Sequence, residues 1–262
     1  MTTTVTSADG TPIAFDIYGA GAPVLLVGGA VNDRTTVAAL AVVLADAGFQ
    51  AIAVDRRGRG ESGDAPVYSV ERELDDLMAV IEAIGGSAAL FGHSSGAILV
   101  LEAAARGLPV NKVAAYEPPF IVSGRPRPAD DLAERLSALL ADGNREGAVE
   151  LFLTEGVSVP AEGVAAMKGQ PVWDWFVGYA HTLPYDITVT GPGGRLPAAR
   201  LAAITVPVLV LSGGAGEAWM GASARAVAET VPHARYEVIP GQDHGVLNAP
   251  ESLRSVLTDF LK

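Results

Sequence analysis

Short runs of β-branched and apolar residues recur along the chain at Ile13–Tyr18, Val24–Val27, Ala51–Val54, Ala88–Phe91, Val113–Tyr116, Val208–Leu211 and Tyr236–Ile239. Each has strand length, and the pattern predicts strands. Between most of them, apolar residues fall at helical spacing, over Thr36–Ala47, Ser69–Ile84, Ser95–Arg106 and Gly221–Thr230. Such alternation predicts an α/β fold: a mostly parallel sheet flanked by helices, with functional loops at the carboxyl ends of the strands. The first two of these strands, joined by Tyr18-Gly-Ala-Gly-Ala-Pro23, read instead as an antiparallel start.

The alternation stops between Pro118 and Pro207. Helical patterns occur there at Asp130–Ala141, Asn144–Thr154 and Ala161–Lys168, without a strand pair. Proline and glycine punctuate both ends, at Pro118-Pro119 with Arg125-Pro-Arg-Pro128 and at Gly191-Pro-Gly-Gly194. The expected organisation is a core over 1–117 and 204–262, with a helical lid inserted over 118–203. An aromatic cluster, Trp173, Trp175, Phe176 and Tyr179, forms either the core of this lid or the wall of an apolar substrate pocket.

Hydrophobic residues make up 49% of the chain and charged ones 18%, which excludes a mainly disordered protein. The formal net charge of −12 disfavours nucleic acid and anionic lipid as partners. Without cysteine, thiolate metal sites, disulfides and a Cys nucleophile are excluded together. The polar start Met1–Gly10 does not resemble a signal peptide, and no apolar run reaches the ~20 residues that span a bilayer. A cytoplasmic protein, monomeric or homodimeric and acting on a small molecule, is expected.

The chemistry is concentrated in Gly92-His93-Ser94-Ser95-Gly96, which follows one predicted strand and opens an apolar helix. A sharp strand-to-helix turn needs small residues on either side of the central one, and it presents Ser94 at the top of the sheet. A serine hydroxyl becomes a nucleophile only when a base accepts its proton, so one of four histidines must reach it. His244, just after the last strand, is the candidate base. His93 is expected beside the turn, His181 in the lid with access to substrate, and His233 on the surface.

With Leu25-Leu-Val-Gly-Gly29, Asp55-Arg-Arg-Gly-Arg-Gly-Glu-Ser62 and Gly241-Gln-Asp-His-Gly245 in matching order, the chain resembles the α/β-hydrolase superfamily over nearly its whole length. The resemblance implies an eight-stranded sheet with the lid after strand six, and a serine hydrolase that needs no cofactor or metal. It implies Ser94 as nucleophile, His244 as base, and an oxyanion hole made by the backbone N–H groups of Ala30 and Ser95, with Val31 as the alternative register. Gly28 replaces a frequent histidine of the family.

Where many relatives carry the triad aspartate, this chain has Gly216, which leaves Glu117 and Glu217 as alternative acids. Asn32 is either a substrate contact or a turn cap before Asp33. Asn32, His93, Trp173, Phe176, Tyr179 and His181 are the expected substrate contacts. The expected reaction is hydrolysis of an ester, thioester or lactone of a small to medium apolar acyl compound. The alternatives are C–C hydrolysis, lyase or cyclase chemistry on the same scaffold, or a non-catalytic binding protein. The arginine-rich turn 55–62 is expected to be structural rather than a phosphate site, because no phosphate-loop motif accompanies it.

Overall fold

The structure is a computed structural model and describes residues 2–262. The described strands are β1 (Thr2–Thr6), β2 (Pro12–Tyr18), β3 (Ala22–Val27), β4 (Phe49–Val54), β5 (Ala88–His93), β6 (Val110–Tyr116), β7 (Val208–Gly213) and β8 (Arg235–Ile239). They form one eight-stranded sheet in the order β1-β2-β4-β3-β5-β6-β7-β8. From β4 to β8 neighbouring strands are parallel; β2 alone runs against the rest, because β1, antiparallel to β2, points the same way as β4.

The antiparallel start is present, but its partners differ from those the sequence suggests. Strand β2 pairs with β1 and β4, while β3 lies beyond β4 and runs parallel to it. The Gly19–Gly21 link therefore crosses rather than folding a hairpin. Gly19 and Gly21 take φ of 69° and 130°, and a Cβ on Gly21 would lie 2.1 Å from the Gly48 carbonyl. Strand β1 is polar and largely exposed, so it carries no apolar alternation to announce it.

Alternation along β3 divides the core. Leu25 and Val27 face a cluster with α2 (Val70–Ala83), α3 (Ser95–Ala105) and α10 (Ala218–Thr230). Val24 and Leu26 face the opposite layer, made by α1 (Arg34–Asp46) and α11 (Arg254–Leu261). Helices cover both faces because the buried residues of the central strands are mainly apolar on either side.

The chain between β6 and β7 is helical: α4 (Leu132–Ala141), α5 (Arg145–Leu151), α6 (Ala161–Met167), α7 (Pro171–Gly178), α8 (Leu183–Thr190) and α9 (Ala198–Leu201). It has its own apolar cluster, with Leu132, Val149, Phe152, Trp173 and Leu183, which the core residue Val31 joins. Helix α8 packs against both α4 and α3 and so bridges the segment to the sheet. Among the described residues no helix is long and apolar enough to cross a membrane.

Helix α3 lies close to the end of β3 because residue 96 has no side chain. A Cβ there would sit 2.4 Å from Val27 O and 2.5 Å from Gly28 O. Gly178, by contrast, has nothing within 4 Å of its would-be Cβ. Gly96→Ala should therefore lower unfolding free energy by about 3 kcal/mol, and Gly178→Ala should change it by no more than about 0.5 kcal/mol. Denaturant titration of both variants checks this.

Candidate active site

Ser94 stands between β5 and α3 with φ 57° and ψ −124°, a backbone region that ordinary L residues avoid. The turn is held by its own N–H, which donates to Tyr116 O at 3.0 Å, and by Ala97 N–H, which donates to Ser94 O at 2.9 Å. Facing it is the loop after β3. A Cβ on Gly29 would lie 2.8 Å from Ser94 Cβ, so only glycine lets this loop approach the elbow. Ala30 N–H and Ser95 N–H have no backbone acceptor among the described residues, and Ala30, Ser94 and Ser95 line one cavity.

Arg59 fixes the orientation of that loop. Its Nη1 donates to Gly29 O at 3.0 Å. In a trans peptide the C=O and the following N–H point in opposite directions, so the Ala30 N–H points away from Arg59. The guanidinium belongs to a buried network. Asp186 of α8 accepts from Arg59 Nη2 at 2.8 Å, from Arg56 Nη1 at 2.9 Å and from Ser95 Oγ at 2.7 Å. Arg56 also pairs with buried Glu73 of α2, and its Nη1 donates to Ser95 Oγ at 3.1 Å. Burial works to raise the Asp186 pKa, but Arg59, Arg56 and the Ser95 hydroxyl outweigh it and hold the carboxyl below its ordinary value.

His244 also lines the cavity. Its Nδ1 lies 2.7 Å from Glu117 Oε2, and Gly213 N–H donates to the other carboxylate oxygen at 2.8 Å. Glu117 is fully buried and takes φ 48° at the end of β6. A Cβ on Gly216 would be 3.3 Å from Glu117 Oε1. The glycine leaves the space beside this carboxylate open, and the longer Glu117 reaches it from the neighbouring strand. Glu217 is exposed at the start of α10 and lines the cavity without pairing to His244. The loop carrying His244 is pinned twice: Tyr116 Oη donates to Asp243 O at 2.7 Å, and His93 Nε2 donates to His244 O at 2.8 Å.

The cavity has a volume of about 680 Å³. Asn32, His93 and Phe176 line it, as does Trp175, which Nε1–H anchors to Val31 O at 2.7 Å. Trp173, Tyr179 and His181, expected as substrate contacts, do not line it. Trp173 is buried in the apolar cluster of the inserted segment. Tyr179 Oη donates to Asp33 Oδ2 at 2.8 Å, and His181 Nε2 donates to Gly58 O at 2.8 Å, so both fasten the segment to the core. Asp33, not Asn32, caps α1. Phe152, Met167 and Ile187 line the cavity without a signal in the sequence, because apolar residues on short helices look the same whether they face a core or a pocket. No group of three or more His, Asp or Glu side chains among the described residues could hold a metal ion.

A strand-to-helix serine, a histidine after the last strand and a buried carboxylate, on a sheet of this order, define an α/β-hydrolase scaffold. Residues 24–255 match the alpha/beta hydrolase family, and the chain belongs to it. An alpha/beta hydrolase from Sphaerobacter thermophilus DSM 20745 is 50% identical, covering 99% of this chain and 100% of that one, with a TM-score of 0.91. A thermophilic esterase from Thermogutta terrifontis is 26% identical over 100% of this chain and 98% of its own, with a TM-score of 0.70. A putative non-heme haloperoxidase of Mycobacterium phage D29 is 31% identical over 105 residues, 39% of this chain and 38% of that protein.

His93 is buried beside the candidate base, its ring centroid 4.7 Å from that of His244. Burial, and then the charge of a protonated His244, push its pKa from 6.5 down to about 3. Between those values the unfolded chain binds a proton that the folded one refuses, so stability falls as pH drops below 6.5. From pH 7 to pH 5 the wild type should lose about 2 kcal/mol more than His93→Gln, measured by denaturant unfolding at both pH values.

Proposed function

We propose that this protein is a serine hydrolase that cleaves a carboxylic ester, thioester or lactone of a small to medium, largely apolar acyl compound. The observation that carries this reading is the strained Ser94 sharing one cavity with His244, whose ring is held by the buried Glu117. Ser94 Oγ attacks the acyl carbon while His244 Nε2 takes its proton. Glu117 keeps the other ring nitrogen protonated and offsets the imidazolium charge that forms. The carbonyl oxygen becomes an oxyanion received by Ala30 N–H and Ser95 N–H. Collapse of the tetrahedral intermediate breaks the C–O or C–S bond, and His244 hands its proton to the leaving group. Water, deprotonated by the same ring, then releases the acid and restores Ser94.

The lid reading of the inserted segment gives it the substrate side of the cavity. Phe152, Val157, Met167 and Phe176 of this segment line the same cavity as Ser94, which suits an apolar chain in the chemistry proposed. The esterase and the haloperoxidase among the relatives are compatible with acyl chemistry at such a serine.

A fluorophosphonate probe should add once to the wild type and not to Ser94→Ala, and turnover of a short-chain nitrophenyl ester should disappear in the same variant. Glu117→Gln should lower turnover by about 10³-fold or more while Glu217→Gln leaves it nearly unchanged; the reverse ranking would move the acid role to Glu217. A well-folded wild type with neither adduct nor turnover would refute the reading.

Arg59 is a positioning residue here, acting through the Gly29–Ala30 peptide. Arg59→Met should reduce kcat by about 10²-fold with KM little changed, because the oxyanion exists only in the transition state. A loss shared between kcat and KM, or confined to stability, would make Arg59 a structural residue only.

A further inference from the structure

Among the residues that line the cavity, Arg125 is the one lysine or arginine. It lies in the segment after β6 and is half-buried; the four arginines with nearly inaccessible side chains, Arg34, Arg56, Arg57 and Arg59, each have a carboxylate partner, and half-buried Arg145, which has none, donates to Val177 O and Gly178 O away from the cavity. Arg125 has none among the described residues. Its Nη2 donates to Gly156 O at 2.6 Å, its Nε is buried without a partner, and its Nη1 makes no hydrogen bond. The guanidinium lies over the Trp219 ring, 4.6 Å from the centroid. Burial pushes its pKa down and no neighbouring acid offsets that.

The acids of the same cavity are engaged or exposed. Asp186 is taken by Arg56 and Arg59, Asp130 pairs with Arg195 at 2.9 Å, and Glu134 and Glu217 are exposed. In a chain of net charge −12, a half-buried guanidinium that none of the acids lining its cavity pairs with is unfinished electrostatically.

We propose that Arg125 is an anion subsite of the active-site cavity, and that the substrate is an ester carrying a free carboxylate. This rests on the ester-hydrolase reading for the reaction, but the subsite itself does not. A single guanidinium with one face covered by an indole offers an in-plane edge that suits a planar, singly charged carboxylate better than a phosphate dianion. The charge-assisted contact fixes one end of the substrate. The apolar wall then holds the chain between the carboxylate and the ester presented to Ser94, which orients the scissile bond before reaction. In the absence of such a ligand, Arg125 holds the segment by Gly156 and Trp219 alone.

Two arms test this. In the first, nitrophenyl hemisuccinate, hemiglutarate and hemiadipate are compared with nitrophenyl esters of the neutral acids of equal chain length. The wild type should prefer at least one hemiester by about tenfold in kcat/KM, and Arg125→Gln should remove that preference while changing the neutral esters little. Arg125→Lys should recover part of it. Equal losses on charged and neutral esters would overturn the proposal and leave Arg125 as a tie between segments; so would a wild type with no preference for any hemiester.

In the second arm, calorimetry measures binding of monomethyl succinate, glutarate and adipate to Ser94→Ala, with and without Arg125→Gln. Binding weakened about tenfold by the added substitution supports the subsite even if no ester is hydrolysed, which would sink only the reaction assigned to Ser94. No binding of any monoester, or binding indifferent to residue 125, overturns the subsite.

Discussion

The carboxylate of Asp186, almost without access to water, holds together the parts of the molecule that must cooperate. It stands on a helix of the inserted segment, yet its partners are two arginines from the turn after β4 and the hydroxyl of Ser95 at the head of α3. One of those arginines grips the carbonyl of Gly29 and the other the carboxylate of Glu73. Such a buried cluster is no bargain for stability against an apolar core, but removing one member leaves its partners charged and unpaired. The contacts are therefore made together or not at all. The loop after β3, the elbow and the inserted segment consequently share one geometry, and the cavity they enclose has its shape because of it.

Backbone strain gathers at the same place. Among the described residues five that are not glycine have positive φ, and three of them, Val31, Ser94 and Glu117, follow the central strands β3, β5 and β6. Each conformation costs of order 1–3 kcal/mol and persists only where the surroundings impose it. The surroundings are visible in each case. Val31 has its carbonyl tied to Trp175 and its side chain packed in the apolar cluster of the inserted segment. Ser94 is held by Tyr116 O, and Glu117 by Leu211 O and by Gly213 N–H on its carboxylate. Parallel strands buried on both faces leave only their carboxyl ends for polar chemistry, and that is where the strained residues project.

Much of the fold could be read in advance because both faces of the central strands are apolar and the helices between them are periodic. The failures have local causes. Strand β1 is threonine-rich and lies at the sheet edge, so nothing in its pattern distinguishes it from a polar leader. Helices α7 and α8 are short, lie either side of a single tight turn and bury only part of one face, which blurs their period. At the site, Ser94 and His244 were within reach of spacing and motif, which narrowed the acid to Glu117 or Glu217 without choosing between them. The turn Asp55–Ser62 was expected to be structural, but its motif did not show which buried partners its arginines reach: Glu73, Asp186 and Gly29 O. The aromatic residues of the inserted segment divided in a way composition cannot foresee: Trp175 and Phe176 reach the cavity, whereas Trp173 turns into its own core and Tyr179 clasps Asp33.

By itself the sequence determined the alternation of core strands and helices from β2 onward, the serine elbow, the histidine after the last strand and the absence of thiol chemistry, because each depends on neighbours in the chain. Only the tertiary structure decided between Glu117 and Glu217 as the partner of His244, since that choice turns on which side chain fills the space beside Gly216. It also decided which arginines meet a carboxylate, and that the arginine lining the cavity, Arg125, does not. Charge pairing across as many residues as separate Arg56 from Asp186 is a property of packing, and no local pattern of residues records it.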